Sequence, residues 1–386
     1  MLTKADEHPL HQVTDTFAAV VSGDKHWNDG HYICLSDIDG AVQIVSTVRL
    51  YGNNDVLDGF VCIRHKGIQH NIRVSRRLRP NIDHYGAGPL RIELTDPMQA
   101  IRLVLDENAF GIACDITCYT VGVPYLGPLS AMRIDGRLIM DRMTYEIAGR
   151  CEGWVSVGSD RYAFTRANSA FFRNHSWGFL PGRGGPRLHG APPLGVPPGP
   201  RGLRNWVLYT IDDHAGFYEF VEDDDGVKWS GAIRAIDGGI LPWTSSLLRP
   251  DGRFPIKDVE HDLTFYPGTA RLKGGRVAIT DGAGLRTPYE IEDMGWVYCQ
   301  GGGYFGGFND RLGQGVYRGE YHEEGEAWDC TDPIKIVHEG KELDFGTPLA
   351  ESFVRFKGPN SMGMAHYECA ALGPVKRYGL TGVAGT

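Results

Sequence analysis

A histidine suited to proton chemistry and a tryptophan suited to steadying positive charge stand one residue apart at "RNHSWG", residues 173–178 of a 386-residue chain. In an extended segment Arg173, His175 and Trp177 project to one side, and Asn174 and Ser176 to the other. A titratable imidazole and a large π surface then share a wall. A second chemistry-bearing stretch, "TIDDHAG", follows at 210–216. There Asp212 and His214 share one strand face and Asp213 takes the other; apolar neighbours flank both, so periodicity leaves open which aspartate points inward. A carboxyl buried among apolar groups has a raised pKa and stays protonated near neutrality, as a general acid must.

Several familiar site patterns are missing. "NHSWG" differs from the nucleophile elbow G-x-S-x-G at Asn174, and "FLPGRGG" stands where a helix would begin. "GGGYFGG" at 301–307 lacks the strand, spacing and helix of a phosphate loop and reads as a bulged strand or tight turn. "YHEEGE" at 321–326 is not H-E-x-x-H, which leaves His322, Glu323 and Glu326 as a weak metal-ligand set. No cofactor or metal is expected.

Strand-like runs must position these residues. "HYICLSDIDGAVQIVSTVRLYG", "GFVCIRHKGIQHNIRVS", "RMTYEIAGRCEGWVSVGSDRYAF" and "NWVLYTIDDHAGFYEFVEDDDGVKW" set β-branched and aromatic residues between Gly, Asp and Asn turns. In "DPMQAIRLVLDENA", Ile101, Leu103 and Leu105 recur with period two, which predicts a strand and then a turn. "EDDDG" at 222–226 reads as a hairpin turn. The 52 glycines and 22 prolines suit short strands and turns, so the expected class is all-β. The tract 181–202, rich in Pro and Gly, sustains neither regular element. As an interdomain linker or a long loop, it stands between an N-terminal β domain, 1–180, and a C-terminal one, 203–386, expected from the sequence.

A formal net charge of -9 with scattered Lys and Arg gives no footprint for nucleic acid. The N-terminus lacks a secretory pattern, and no apolar stretch approaches the roughly 18 residues of a membrane span. Eight dispersed cysteines form no C-x-x-C pair and read as small buried hydrophobes in a reducing compartment. A soluble cytoplasmic protein is expected; oligomeric state is not legible.

"GRCEGWVSVGSDRYAFTRANSAFFRNHSWG" resembles the segment ending in (R)DHSWG in bacterial proteins of the carotenoid 1,2-hydratase and AttH-like superfamily. "HWNDGHYICLSD" and "GMAHYE" are similar to further segments of one uncharacterised branch. The resemblance implies two lipocalin-like β domains packed together, with a hydrophobic pocket for an apolar small molecule. Members include carotenoid and phytoalexin hydratases and polyketide pericyclases. The resemblance carries an H-x-W pair onto His175 and Trp177, with Asp212 or Asp213 as the third member. Asn174 replaces the family's usual Asp.

The chemistry expected is a proton-initiated hydration, dehydration or cyclisation of a C=C bond in an isoprenoid-like substrate, a lyase or isomerase reaction without cofactor. Asp213 or Asp212 gives the proton, Trp177 steadies the cation, and His175 orients water or takes its proton. Tyr209, Tyr304, His322, His366 and Glu368 are further pocket candidates. A pericyclase, in which no acid is indispensable, and a non-catalytic binder of an apolar ligand are the alternatives.

Overall fold

The structure, a computed structural model, describes residues 1–128, 130–134, 136–179, 201–212, 214–230, 242–304, 307–344 and 350–382. Asp213, and the tract 181–202 apart from its last two residues, lie outside the described residues.

Period-two patterning produces long antiparallel strands. Asn28–Asp37 pairs with Val42–Tyr51. Val56–His65 pairs with Ile68–Arg77 through a two-residue turn, Lys66 and Gly67, at φ 51° and 80°. That mirror-image turn matches the strand twist, and its second residue is the glycine it favours. Ala100–Leu105 is a strand, as its spacing implies, with Ile101, Leu103 and Leu105 all buried. Among the described residues there is no α-helix, only short 3-10 turns. The all-β expectation holds, and no helix there is long and apolar enough to cross a membrane.

The strands form two sheets. The first runs Lys341–Glu342, Val337–His338, Tyr321–Asp329, Ile68–Arg77, Val56–His65, Val42–Tyr51, Asn28–Asp37, Ser169–Phe179, Arg137–Val157, Ile112–Thr120, Ala100–Leu105, Leu90–Asp96 and Gly86–Ala87. The second runs Gly252–Phe254, Thr244–Arg249, His214–Glu222, Gly202–Ile211, Met362–Leu372, Ala350–Lys357, Arg286–Tyr298, Leu272–Asp281 and Ile256–Phe265. Each curls round its own apolar core, giving two lipocalin-like barrels. Ile33, Val61, Ile147 and Phe171 belong to the first core, and Val207, Tyr218, Val259 and Tyr367 to the second. A third core, with Cys34, Phe60, Phe172, Leu208, Phe217 and Phe353, cements the two together. Neighbours in sequence thus serve different cores: Phe171 points into the first barrel and Phe172 out of it, because successive side chains alternate.

Tyr321–Asp329 belongs by sequence to the second half but pairs along its whole length with Ile68–Arg77 in the first sheet. Arg73 pins this crossing. Its fully buried guanidinium donates to Glu324 Oε1 at 2.7 Å, to Glu326 Oε1 at 2.8 Å and to the Gly301 carbonyl at 2.8 Å, with a further bond to Glu326. Glu326 of "YHEEGE" is therefore bound in an ion-pair network, and His322 pairs with Glu324 at 2.9 Å. The glycine-rich stretch makes the 3-10 turn Cys299–Gly302; a Cβ on Gly302 would stand 2.6 Å from the Phe60 ring. All eight cysteines are free and seven are buried.

Removing one partner of a buried ion network strands the others without water. Arg73→Met, which takes the guanidinium from Glu326 and leaves Glu324 with His322 as its ionic partner, is expected to lower stability by about 3–5 kcal/mol, measured by equilibrium denaturant unfolding.

Candidate functional site

Two rows of side chains face each other between the barrels. From the first sheet, Tyr32, Asn174 and Glu146 stand side by side, because Tyr32 pairs with Asn174 and Asn174 with Glu146 in strand register. From the second, Glu219, Trp206 and Glu368 form a matching row. Thr144 and Arg142 continue the Glu146 face, while Arg204 and His366 continue the facing row. Together with Tyr125, Phe217, Cys299, Tyr304 and Glu351 they line a cavity of about 150 Å³.

One wall is aromatic. Trp206 meets Phe217 edge-on with centroids 5.3 Å apart, and Phe217 lies 4.7 Å from Tyr125. The remaining walls are charged. Glu351 sits at the seam: its Oε1 accepts from the Tyr32 hydroxyl at 2.8 Å and the Cys299 thiol at 3.1 Å, and its Oε2 meets His366 Nε2 at 2.5 Å. Burial alone would drive protons off His366, but the Glu351 carboxylate against it, helped by Glu368 and Glu146, raises its pKa above the ordinary imidazole value. The pair is an imidazolium held by a carboxylate. Arg204 donates to Glu368 at 2.7 Å.

Glu146 is different in kind. It is 2% exposed, and burial pushes its pKa up to about 7, against the opposing pull of the Asn174 amide, Arg142 and the Thr144 hydroxyl. Oε1 accepts from Asn174 Nδ2 at 2.7 Å and Thr144 Oγ1 at 3.1 Å, whereas Oε2 is buried with no hydrogen-bond partner. A carboxyl balanced at neutrality, with one oxygen uncommitted on a cavity wall, is equipped to give and take a proton. Asn174 holds this group; an Asp there would set a second carboxylate against it.

Ligand atoms of Glu351, His366 and Glu368 lie within 4.8 Å of one another, the spacing of a metal site. Glu351 and His366 already satisfy each other and Arg204 occupies Glu368, so the trio is explained as a charge network.

The sequence-predicted residues divide. Tyr304, His366 and Glu368 line the cavity. His175 and Trp177 do share a wall, centroids 5.4 Å apart, but on the opposite face of their strand, inside the first barrel, where His175 bonds Asp29 at 2.7 Å and Tyr145 at 3.1 Å. Gly178 of the same motif has φ 115°, and a Cβ there would fall 2.1 Å from the Asp141 carbonyl oxygen. Asp212 does not join them: it is exposed on the turn between Ile211 and His214, its carbonyl accepting from Arg150. Tyr209 packs inside the second barrel against Phe356, and His322 belongs to the Arg73 network. Glu146, Glu219, Glu351, Trp206 and Arg204 were missed. An acid inside the apolar run "MTYEIAG" was the available signal for Glu146.

A family model described as a family of unknown function (DUF8625) matches residues 2–381. No curated protein sequence matches the chain. Similar solved structures include kievitone hydratase from Nectria haematococca, at 10% identity over 92% of this chain and 95% of that one, with a TM-score of 0.42. CghA, also solved with Sch210972, is similar at 8% identity over 91% of this chain and 90% of that one, with a TM-score of 0.41.

A carboxyl with a raised folded pKa favours folding most while it is protonated in both states, below its ordinary value of 4.5, and that contribution fades as pH rises through about 7. Glu146→Gln removes the buried charge. It is expected to match the parent near pH 4 and to exceed it by about 2–3 kcal/mol at pH 8, as read from denaturant melts at the two pH values.

Proposed function

The chain belongs to that family of unknown function, and for it we propose acid–base catalysis on a small unsaturated molecule, a lyase or isomerase reaction in the cavity between the barrels. The observation that carries this reading is Glu146: buried, balanced near neutrality, one oxygen uncommitted, facing a carboxylate-held imidazolium.

In the hydration direction the Glu146 carboxyl gives its proton to one alkene carbon. Positive charge develops on the other carbon, over the Trp206 ring face, a stabilisation of about 2 kcal/mol when water is excluded. Water adds to that carbon, and the proton it releases restores Glu146. The net change is H and OH across the C=C bond; the reverse order is dehydration, and proton return at a different carbon is isomerisation or cyclisation. The Glu219 and Glu368 carboxylates favour the cation, and the imidazolium of His366 offers a donor to a substrate oxygen.

The lining refines the substrate class expected from the sequence. A bare hydrocarbon would leave Glu219, Glu368 and Arg204 shut from water with nothing new to bond. The walls therefore suit an oxygenated terpenoid or similar molecule, with its planar apolar part on Trp206 and Phe217 and its oxygen functions toward the charged side.

Incubating the protein with oxygenated terpenoids and conjugated enones in deuterated water tests this. Carbon-bound deuterium should appear in product by mass spectrometry, drop by about 10²–10⁴-fold in Glu146→Gln, and decline as pH rises above about 7, where Glu146 is ionised. Turnover without deuterium would point to the pericyclic route, and binding without turnover to a carrier.

A further inference from the structure

The first barrel contains a cation that no described residue neutralises. Along Ser169–Phe179 the inward side chains are Phe171, Arg173, His175 and Trp177, at steps of roughly 7 Å from floor to mouth. Arg173 lies between Ile33 and Ile147 in strand register and is 3% exposed. Its Nε and Nη2 are buried without a hydrogen-bond partner. Among the described residues no carboxylate pairs with it; the Tyr145 ring, 5.6 Å from the guanidinium carbon, is its polarisable neighbour. Asp29, an acid on the same inward face, is committed to His175.

His31 deepens the imbalance. It is buried beside His175, ring centroids 4.2 Å apart, and its Nδ1 has no partner. Burial, and then the positive surroundings of His175, Arg173 and Arg49, hold it well below the ordinary imidazole range, so it is neutral. A buried charge without a counter-charge is destabilising. Folds keep such a group when something else completes it.

The geometry of the vacant donors says what completes it. Nε and Nη2 form the side-on edge of a guanidinium, the edge that takes a carboxylate bidentately. Arg102 of this chain uses those same two nitrogens to grip Asp115, at 2.7 and 2.6 Å. Arg173 presents that edge unfilled. On the same inward face toward the end of the strand, His175 and Asp29 are 22% and 45% exposed at their side chains, and Trp177 is half-buried.

We propose that the interior of the first barrel is a second ligand site, separate from the cavity between the barrels, in which the Nε–Nη2 edge of Arg173 binds the carboxylate of a compact apolar acid. Neutral His31 supplies a further polar contact through Nδ1, and Trp177 with His175 borders the entrance. Asn174, the next residue, faces the other cavity, so one strand serves both sites on opposite faces.

Benzoate is the probe and benzamide its uncharged counterpart. By calorimetry benzoate should bind and benzamide should not, and in heteronuclear NMR benzoate should shift the ring signals of His31 and His175 while leaving His366 in place. Arg173→Met should weaken benzoate ten-fold or more. Should that variant fail to fold, Arg173→Lys, which keeps the charge and loses the fork, should show the same weakening. Absence of benzoate binding, equal binding of benzamide, shifts confined to His366, or undiminished binding in both variants would each overturn the assignment.

Discussion

The organising constraint is a strand buried on both faces. In an ordinary barrel one face of each strand meets the core and the other meets water; here the central strands of both sheets meet a core on one side and the opposite barrel on the other. Such a strand has no free surface on which to place polar side chains. A charge that it carries must be paired in place, completed by a bound group or driven toward its neutral form, and the shared face holds Glu146, Glu219, Glu351, Glu368, Arg204 and His366. The cavity's chemistry follows from that confinement: Glu351, Glu368 and Glu219 have cations beside them, while Glu146, without an ion pair among the described residues, is driven toward its neutral form.

Pairing and isolation do different work there. Glu351 collects a phenol, a thiol and an imidazolium and stays an anion, while Glu146, a few side chains away across the same space, has an amide and a hydroxyl and is driven up to about 7. Two carboxyls with opposite protonation preferences in one cavity are a working division between a fixed charge and a mobile proton.

Much of the architecture was legible because period-two burial is a local signal. Ile101, Leu103 and Leu105 announced a strand, and Lys66-Gly67 sits where a tight turn was implied. Long-range pairing left no such trace: nothing in "YHEEGE" said that its glutamates would meet Arg73, some 250 residues earlier in the chain. The site was half legible for a related reason. Tyr304, His366 and Glu368 were named as pocket candidates, yet the face of "RNHSWG" read for chemistry was the His175 side, whereas Asn174 on the other face meets Glu146. With both faces buried, alternation says which residues stand together and not which enclosure they enter. Only the second sheet, supplied by the far half of the chain, decides that.

The crossing of Tyr321–Asp329 has a consequence for biosynthesis. Until those residues leave the ribosome, Ile68–Arg77 is a long open margin of unpaired amides and carbonyls, of the kind that invites pairing with foreign chains. The earlier barrel cannot finish before most of the later one exists, so the two must mature together, and a product truncated ahead of residue 321 is exposed to aggregation rather than left as an autonomous half.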